Sequence, residues 1–249
     1  MPYRKEEFAN GEVYHIIIRA IDDNLIFKDT SDYFRGIFSI YEFNNSKRVS
    51  IRDRREKRKR EKILEKMIAE NRLLVSENSP DIGSRGSFME FVDERDKMVE
   101  VLAFCFMPNH IHLLLKQIKD NGISKFMQKN GIGLGKYFNT KYQRKGHVFQ
   151  DTFKAIHIED EKQFITVACY IFANPVALIE PGWKENGIRK HSVKEVLKFL
   201  KNYKWSSYQD CIGIKNFKYV TQRDFLMQVV GGEQGCKDAI KNWIEVKIR

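Results

Sequence analysis

The spacing of apolar positions changes along the chain, and each change marks an element. Residues 13–19, VYHIIIR, form a short apolar run rich in β-branched side chains, which predicts a buried strand. Residues 31–43, SDYFRGIFSIYEF, repeat apolar groups at helical spacing behind a Ser or Thr cap candidate, which predicts a helix. Residues 98–106, MVEVLAFCF, predict a strand that Met107-Pro108-Asn109 breaks. Residues 110–117, HIHLLLKQ, predict the next strand, and so short a turn makes the pair an antiparallel hairpin. Residues 122–142 carry Phe126, Met127, Leu134, Tyr137 and Phe138 at helical spacing. Glycines between 131 and 135 predict that this helix is irregular and offer a hinge. A QRKGH turn leads to a strand at 152–158, TFKAIHI. A helix at 160–173, DEKQFITVACYIFA, opens on acidic residues and stops near Pro175.

The order is strand, helix, strand, strand, helix, strand, helix. Its first six elements predict an α+β fold with a ferredoxin-like split βαβ core and an antiparallel sheet. Between the first helix and the hairpin the composition shifts. Residues 46–62, SKRVSIRDRREKRKREK, are dominated by Lys and Arg, residues 63–74 look like an amphipathic helix, and 76–87 read as a loop. The expected organisation is a core domain at 1–180 with a basic insertion at about 46–95, then a helical C-terminal extension at 181–249.

Charge and cysteine usage narrow the function classes. A formal net charge of +11 points to a polyanionic partner, a nucleic acid or an acidic membrane surface. No stretch approaches the roughly 20 apolar residues that span a bilayer. The N-terminal MPYRKEEFANGEVYH lacks the apolar core of a signal peptide. Cys105, Cys169, Cys211 and Cys236 are scattered without C-x-x-C spacing, so reduced thiols in a cytoplasmic protein are expected.

Two short constellations carry candidate chemistry. In FMPNHIHLLLK, alternation along a strand sends His110 and His112 to one face, where two imidazoles can converge on a cation. An H-x-H pair by itself is more often structural or incidental, and no third histidine completes a zinc triad. In ACYIFANPV, Tyr170 and Asn174 are four apart and share a helix face. A core aromatic followed by a helix-ending Asn satisfies the same pattern. Pro175 disfavours the α conformation at Asn174, so this pairing depends on how the helix ends.

In order along the chain, FANGEVYHI, AFCFMPNHIHLLLK, GHVFQDTFKA, YIFANPV and WSSY at 205–208 resemble the HUH superfamily of single-tyrosine transposases, in particular the REP-associated tyrosine transposases. The resemblance implies that His110 and His112 are metal ligands, Asn174 a third ligand and Tyr170 the nucleophile. It implies a Mg²⁺ or Mn²⁺ cofactor and single-stranded DNA with hairpins or palindromic repeats as substrate. Cleavage would leave a 5′-phosphotyrosine and a free 3′-OH, and a second transesterification would rejoin the strand. Members act as monomers or as homodimers. The basic insertion is longer than the family leads one to expect. Another HUH nuclease, such as a replication initiator or relaxase, or an idle DNA-binding protein of the same fold, shares most of these features.

Arg52, Arg54, Arg55, Arg58, Lys59 and Arg60 offer a phosphate track, and Arg144 and Lys145 are further candidates for DNA contact. The alternative for the first group is a solvated helix face laced by Asp53, Glu56 and Glu61. His15 reads as a packed or edge histidine, and His157 as facing either the site or solvent. Trp205 and Tyr208 read as packing the extension onto the core, with base stacking the lesser possibility.

Overall fold

The computed structural model describes residues 7–54, 56, 59, 60, 63, 93–150 and 152–248. They divide into two units, Met1–Ser46 with Lys97–Arg249, and Lys47–Asp96.

In the larger unit, β1 (Val13–Arg19) leads through α1 (Thr30–Glu42) to a hairpin of β2 (Val99–Met107) and β3 (His110–Gln117). Next come α2 (Gly122–Lys141), β4 (Lys154–Ile158) and α3 (Glu161–Ala173). The strands form one antiparallel sheet in the order β2-β3-β1-β4. That is the split βαβ order expected from the element pattern.

Alternation gives the sheet two apolar faces with different covers. Tyr14, Ile16, Ile18, Phe104, Phe106, Ile111, Leu113 and Leu115 pack with α1 and α2. Val13, Ala103, Cys105, Met107, Leu114 and Ile158 pack with α3 and the elements after it. The His110–His112 side of β3 belongs to this second face, because Ile111 and Leu113 occupy the first.

Asp29 caps α1, accepting from the backbone of Ser31 and Asp32, while Asp32 accepts back from Asp29. Buried Asp32 also ties α1 to α2. It accepts from Lys141 at 2.6 Å, from Tyr142 just past α2 at 2.6 Å and from Tyr137 at 3.0 Å. Gly36 lets α1 approach the core closely: a Cβ there would lie 2.6 Å from one Phe106 ring atom and 2.9 Å from Phe27. Gly36→Ala should therefore cost about 1–3 kcal/mol by overpacking, read as a lower denaturation midpoint at unchanged slope.

The glycine-rich stretch of α2 is continuous helix, in contrast to the irregularity expected from its composition. Ile123, Phe126, Met127, Asn130, Leu134 and Phe138 form one buried stripe along it. Gly133 sits against the Phe43 ring, where any Cβ would clash. Close packing thus overrides weak helix propensity and explains one of the glycines.

After α3 come a 3₁₀ turn (Asn174–Leu178), α4 (Trp183–Asn186), α5 (Val193–Asn202), α6 (Tyr208–Cys211), α7 (Asp224–Val230) and α8 (Gly232–Glu245). They share a core with α3. The WSSY segment closes the outer edge of β2: Phe106 N donates to Trp205 O at 2.9 Å and Ser207 N to Phe104 O at 3.0 Å. Trp205 stacks on Tyr33 at 4.5 Å, and Tyr208 packs on Phe172. Both aromatics thus fill the packing role. Among the described residues, no helix is long and apolar enough to cross a membrane.

In the smaller unit, residues 51–54 are helical and Arg52 pairs with Glu56 at 3.2 Å.

Candidate functional site

The site is built where α3 crosses the second face of the sheet. β3 supplies His110 and His112, and the register places Ile17 and Cys105 on either side of His112. Two residues along β1 from Ile17 stands His15, on the same face. α3 packs on both β2 and β3 and brings Tyr170 over the histidines. The Tyr170 ring lies 5.5 Å from His112 and 5.8 Å from His15, edge-on to both. His110 and His112 are 4.9 Å apart, ring to ring.

Each histidine of the pair has its Nδ1 engaged. His110 Nδ1 meets Asn109 Oδ1 at 2.6 Å, and an amide oxygen only accepts, so Nδ1 carries the proton. Asn109 is held in turn by Asp23, 3.3 Å away, which also takes Arg19 at 3.1 Å. His112 Nδ1 meets His15 Nε2 at 2.9 Å. Its Nε2 is buried and has no hydrogen-bond partner. With His112 Nδ1 donating to His15, the buried Nε2 of His112 has a lone pair to offer.

Electrostatics keep the cluster neutral. Burial lowers His15 to about 4, reinforced by the Lys184 charge. Burial likewise lowers His110 to about 4, with Arg19 and Lys184 adding to it and the Asn174 side chain opposing it. His112 falls well below its ordinary value, chiefly by burial and then through His110 and His15. Neutral imidazoles are the form that binds metal.

Asn174 keeps its place on the tyrosine's face. Its backbone is right-handed helical despite the following proline, since the chain passes directly into the 3₁₀ turn with Pro175 at the start. Its Nδ2 donates to Tyr170 O at 3.1 Å, which leaves Oδ1 directed away as an acceptor. His110, His112 and Asn174 thus present two nitrogens and one oxygen, all neutral. An orphaned buried Nε2 on His112, beside a second neutral imidazole and an amide oxygen, fits a divalent cation. Among the described residues no cluster of three His, Cys, Asp or Glu could hold one.

Lys184 is the functional candidate that sequence reasoning missed. Its Nζ donates to Tyr170 Oη at 2.8 Å and to Asn174 Oδ1 at 3.2 Å. The segment GWKENG carries no motif that singles it out, and only the fold brings it to the tyrosine. His15 is packed, as one reading of the sequence held, but its contact with His112 depends on strand register that no local pattern states.

Residues 57–174 match the family model described as transposase, IS200 like. His110, His112, Tyr170 and Asn174 all lie within that matched stretch, whereas His15 and Lys184 lie outside it. A solved structure, of the REP-associated tyrosine transposase bound to a REP hairpin, is similar over 87% of this chain and 90% of its own, at 13% identity and a TM-score of 0.45. No curated protein matches the chain.

The candidate DNA contacts are spread more widely. Arg144 and Lys145 are exposed in the turn after α2, with Arg144 over the Phe138 ring at 5.5 Å. They are not part of the histidine–tyrosine cluster. Arg52, Lys59 and Arg60 are exposed and Arg54 half-buried in the smaller unit, while Arg55 and Arg58 lie outside the described residues. His157 bonds Glu12 at 2.8 Å and packs beside Tyr14, so it faces away from the site.

The buried histidines set a pH dependence. The unfolded chain takes up protons as pH falls through 6.5, while folded His15 and His110 do not until about 4. Stability should therefore decline as pH falls across that window. Thermal melting followed over this range should show a shallower decline in His15→Gln than in the wild type, because one of the depressed groups is gone.

Proposed function

We propose that this chain is a single-tyrosine transposase that cuts and rejoins single-stranded, hairpin-bearing DNA by transesterification, with Tyr170 as nucleophile and Mg²⁺ or Mn²⁺ held by His110, His112 and Asn174. The observation that carries this reading is the meeting of Tyr170 with His112, a buried histidine whose Nε2 has no hydrogen-bond partner, beside His110 and inside the matched stretch.

The residues divide the work. Tyr170 Oη attacks the scissile phosphate and forms a 5′-phosphotyrosine, and the 3′-OH departs. When bound, the metal ion withdraws charge from the phosphoryl oxygens and orients the phosphate for in-line attack. His15 and Asn109 hold the two histidine rings by their Nδ1 atoms, which leaves the Nε2 atoms to take the cation. In this reading Tyr170 and the histidines of one chain serve the same site, with α3 packed on that chain's own β2 and β3. The phosphotyrosine retains the energy of the phosphodiester, so rejoining needs no nucleotide cofactor. In this reading Arg52, Arg54, Arg55, Arg58, Lys59, Arg60, Arg144 and Lys145 contact phosphates, and the protein works as a monomer or homodimer.

A labelled pool of hairpin-bearing single-stranded DNA with Mn²⁺ should give a covalent protein–DNA band on a denaturing gel. Chelation should remove the band, and fully duplex DNA should give none. A band that persists in chelator would contradict the metal assignment.

A further inference from the structure

Lys184 stands at the reacting oxygen, yet nothing in the strand–helix core of the site accounts for it. Its position is fixed from behind. Gly182 takes a left-handed φ of 76°, and Trp183, only 1% exposed, anchors the short α4 in the core. Lys184 therefore projects from an anchored turn, with its ammonium 4.4 Å from the Tyr170 ring centroid and 2.8 Å from Oη. Among the described residues, no carboxylate pairs with it, and its hydrogen bonds run to Tyr170 and Asn174. A cation placed this way has charge available for the phenol oxygen.

We propose that Lys184 is a catalytic residue of the transesterification, donating to Tyr170 Oη and stabilising the negative charge that develops there. The proposal rests on the reading of Tyr170 as nucleophile. In cleavage one bond forms between Oη and phosphorus while the bond from phosphorus to the 3′ oxygen breaks. The broken bond's electron pair goes to the 3′ oxygen, which takes a proton from water, and the phenol proton passes to water. In rejoining, Oη is the leaving group and Lys184 receives it with the same hydrogen bond. The lysine keeps its proton throughout. The competing role is structural, a tie between α4 and the end of α3.

The rate of covalent adduct formation, with the same DNA pool and Mn²⁺, separates the two roles. Lys184→Gln should slow the adduct by about 100-fold or more at saturating Mn²⁺, with a thermal midpoint close to wild type. Lys184→Arg should recover to within about tenfold of wild type, because the donated charge returns. Lys184→Cys, converted with bromoethylamine to a lysine-like side chain, should recover similarly. The four native cysteines are buried, which directs the reagent to the new thiol. A Lys184→Gln variant as fast as wild type overturns the proposal. So does a slow one that neither Arg nor aminoethylation improves. A wild type that forms no adduct defeats the nucleophile reading itself, and this proposal with it, before any variant is compared.

Discussion

Tyr170→Phe should abolish the covalent adduct, lowering strand cleavage by at least about 10⁴-fold, as loss of a nucleophile does elsewhere. The change removes one oxygen and keeps the ring. The edge-on contacts with His15 and His112 involve the ring and should survive. Lys184 loses one acceptor and keeps Asn174 Oδ1 at 3.2 Å. Folding should therefore be nearly unaffected, and binding of hairpin DNA and of Mn²⁺ should remain. Gel analysis of the adduct, with calorimetry for metal and DNA, measures each quantity separately. Adduct formation at the wild-type rate would remove Tyr170 from the mechanism.

His112→Ala should weaken Mn²⁺ binding by at least about 100-fold, more than the loss of an outer partner costs at metal sites. His112 is 2% exposed, and its buried Nε2 has no hydrogen-bond partner. The variant also strips His15 Nε2 of its partner and opens a cavity, so about 1–3 kcal/mol of stability should go with it. Isothermal titration with Mn²⁺ separates the two effects, because a folded variant that still binds at wild-type affinity would exclude His112 as a ligand. His110→Ala offers a control for burial: its ring is half-buried, so it should lose metal with a smaller loss of stability.

Much of this site was legible in the sequence because its pieces are local. Alternation alone put His110 and His112 on one face of β3, since Ile111 and Leu113 had to enter the core between α1, α2 and the sheet. Helical spacing alone paired Tyr170 with Asn174, and the turn after α3 preserved that pairing through Pro175. Other parts were not local. His15 meets His112 only because β1 lies beside β3, a consequence of sheet order. Lys184 arrives from ten residues beyond Asn174, on a turn whose direction is set by Gly182 and by the burial of Trp183. The glycines of α2 misled in the opposite sense. Composition argued for a broken helix, but the buried stripe from Ile123 to Phe138 and the contact of Gly133 with Phe43 keep it continuous.

The most direct test locates the covalent bond. Trypsin cuts after Lys162 and Lys184, and the peptide between them contains Tyr170 as its one tyrosine. After reaction with hairpin-bearing single-stranded DNA and Mn²⁺, nuclease trimming and mass spectrometry should find nucleotide phosphate on that peptide, attached at Tyr170. Phosphate on any other tyrosine, or a trapped complex with that peptide unmodified, would contradict the account.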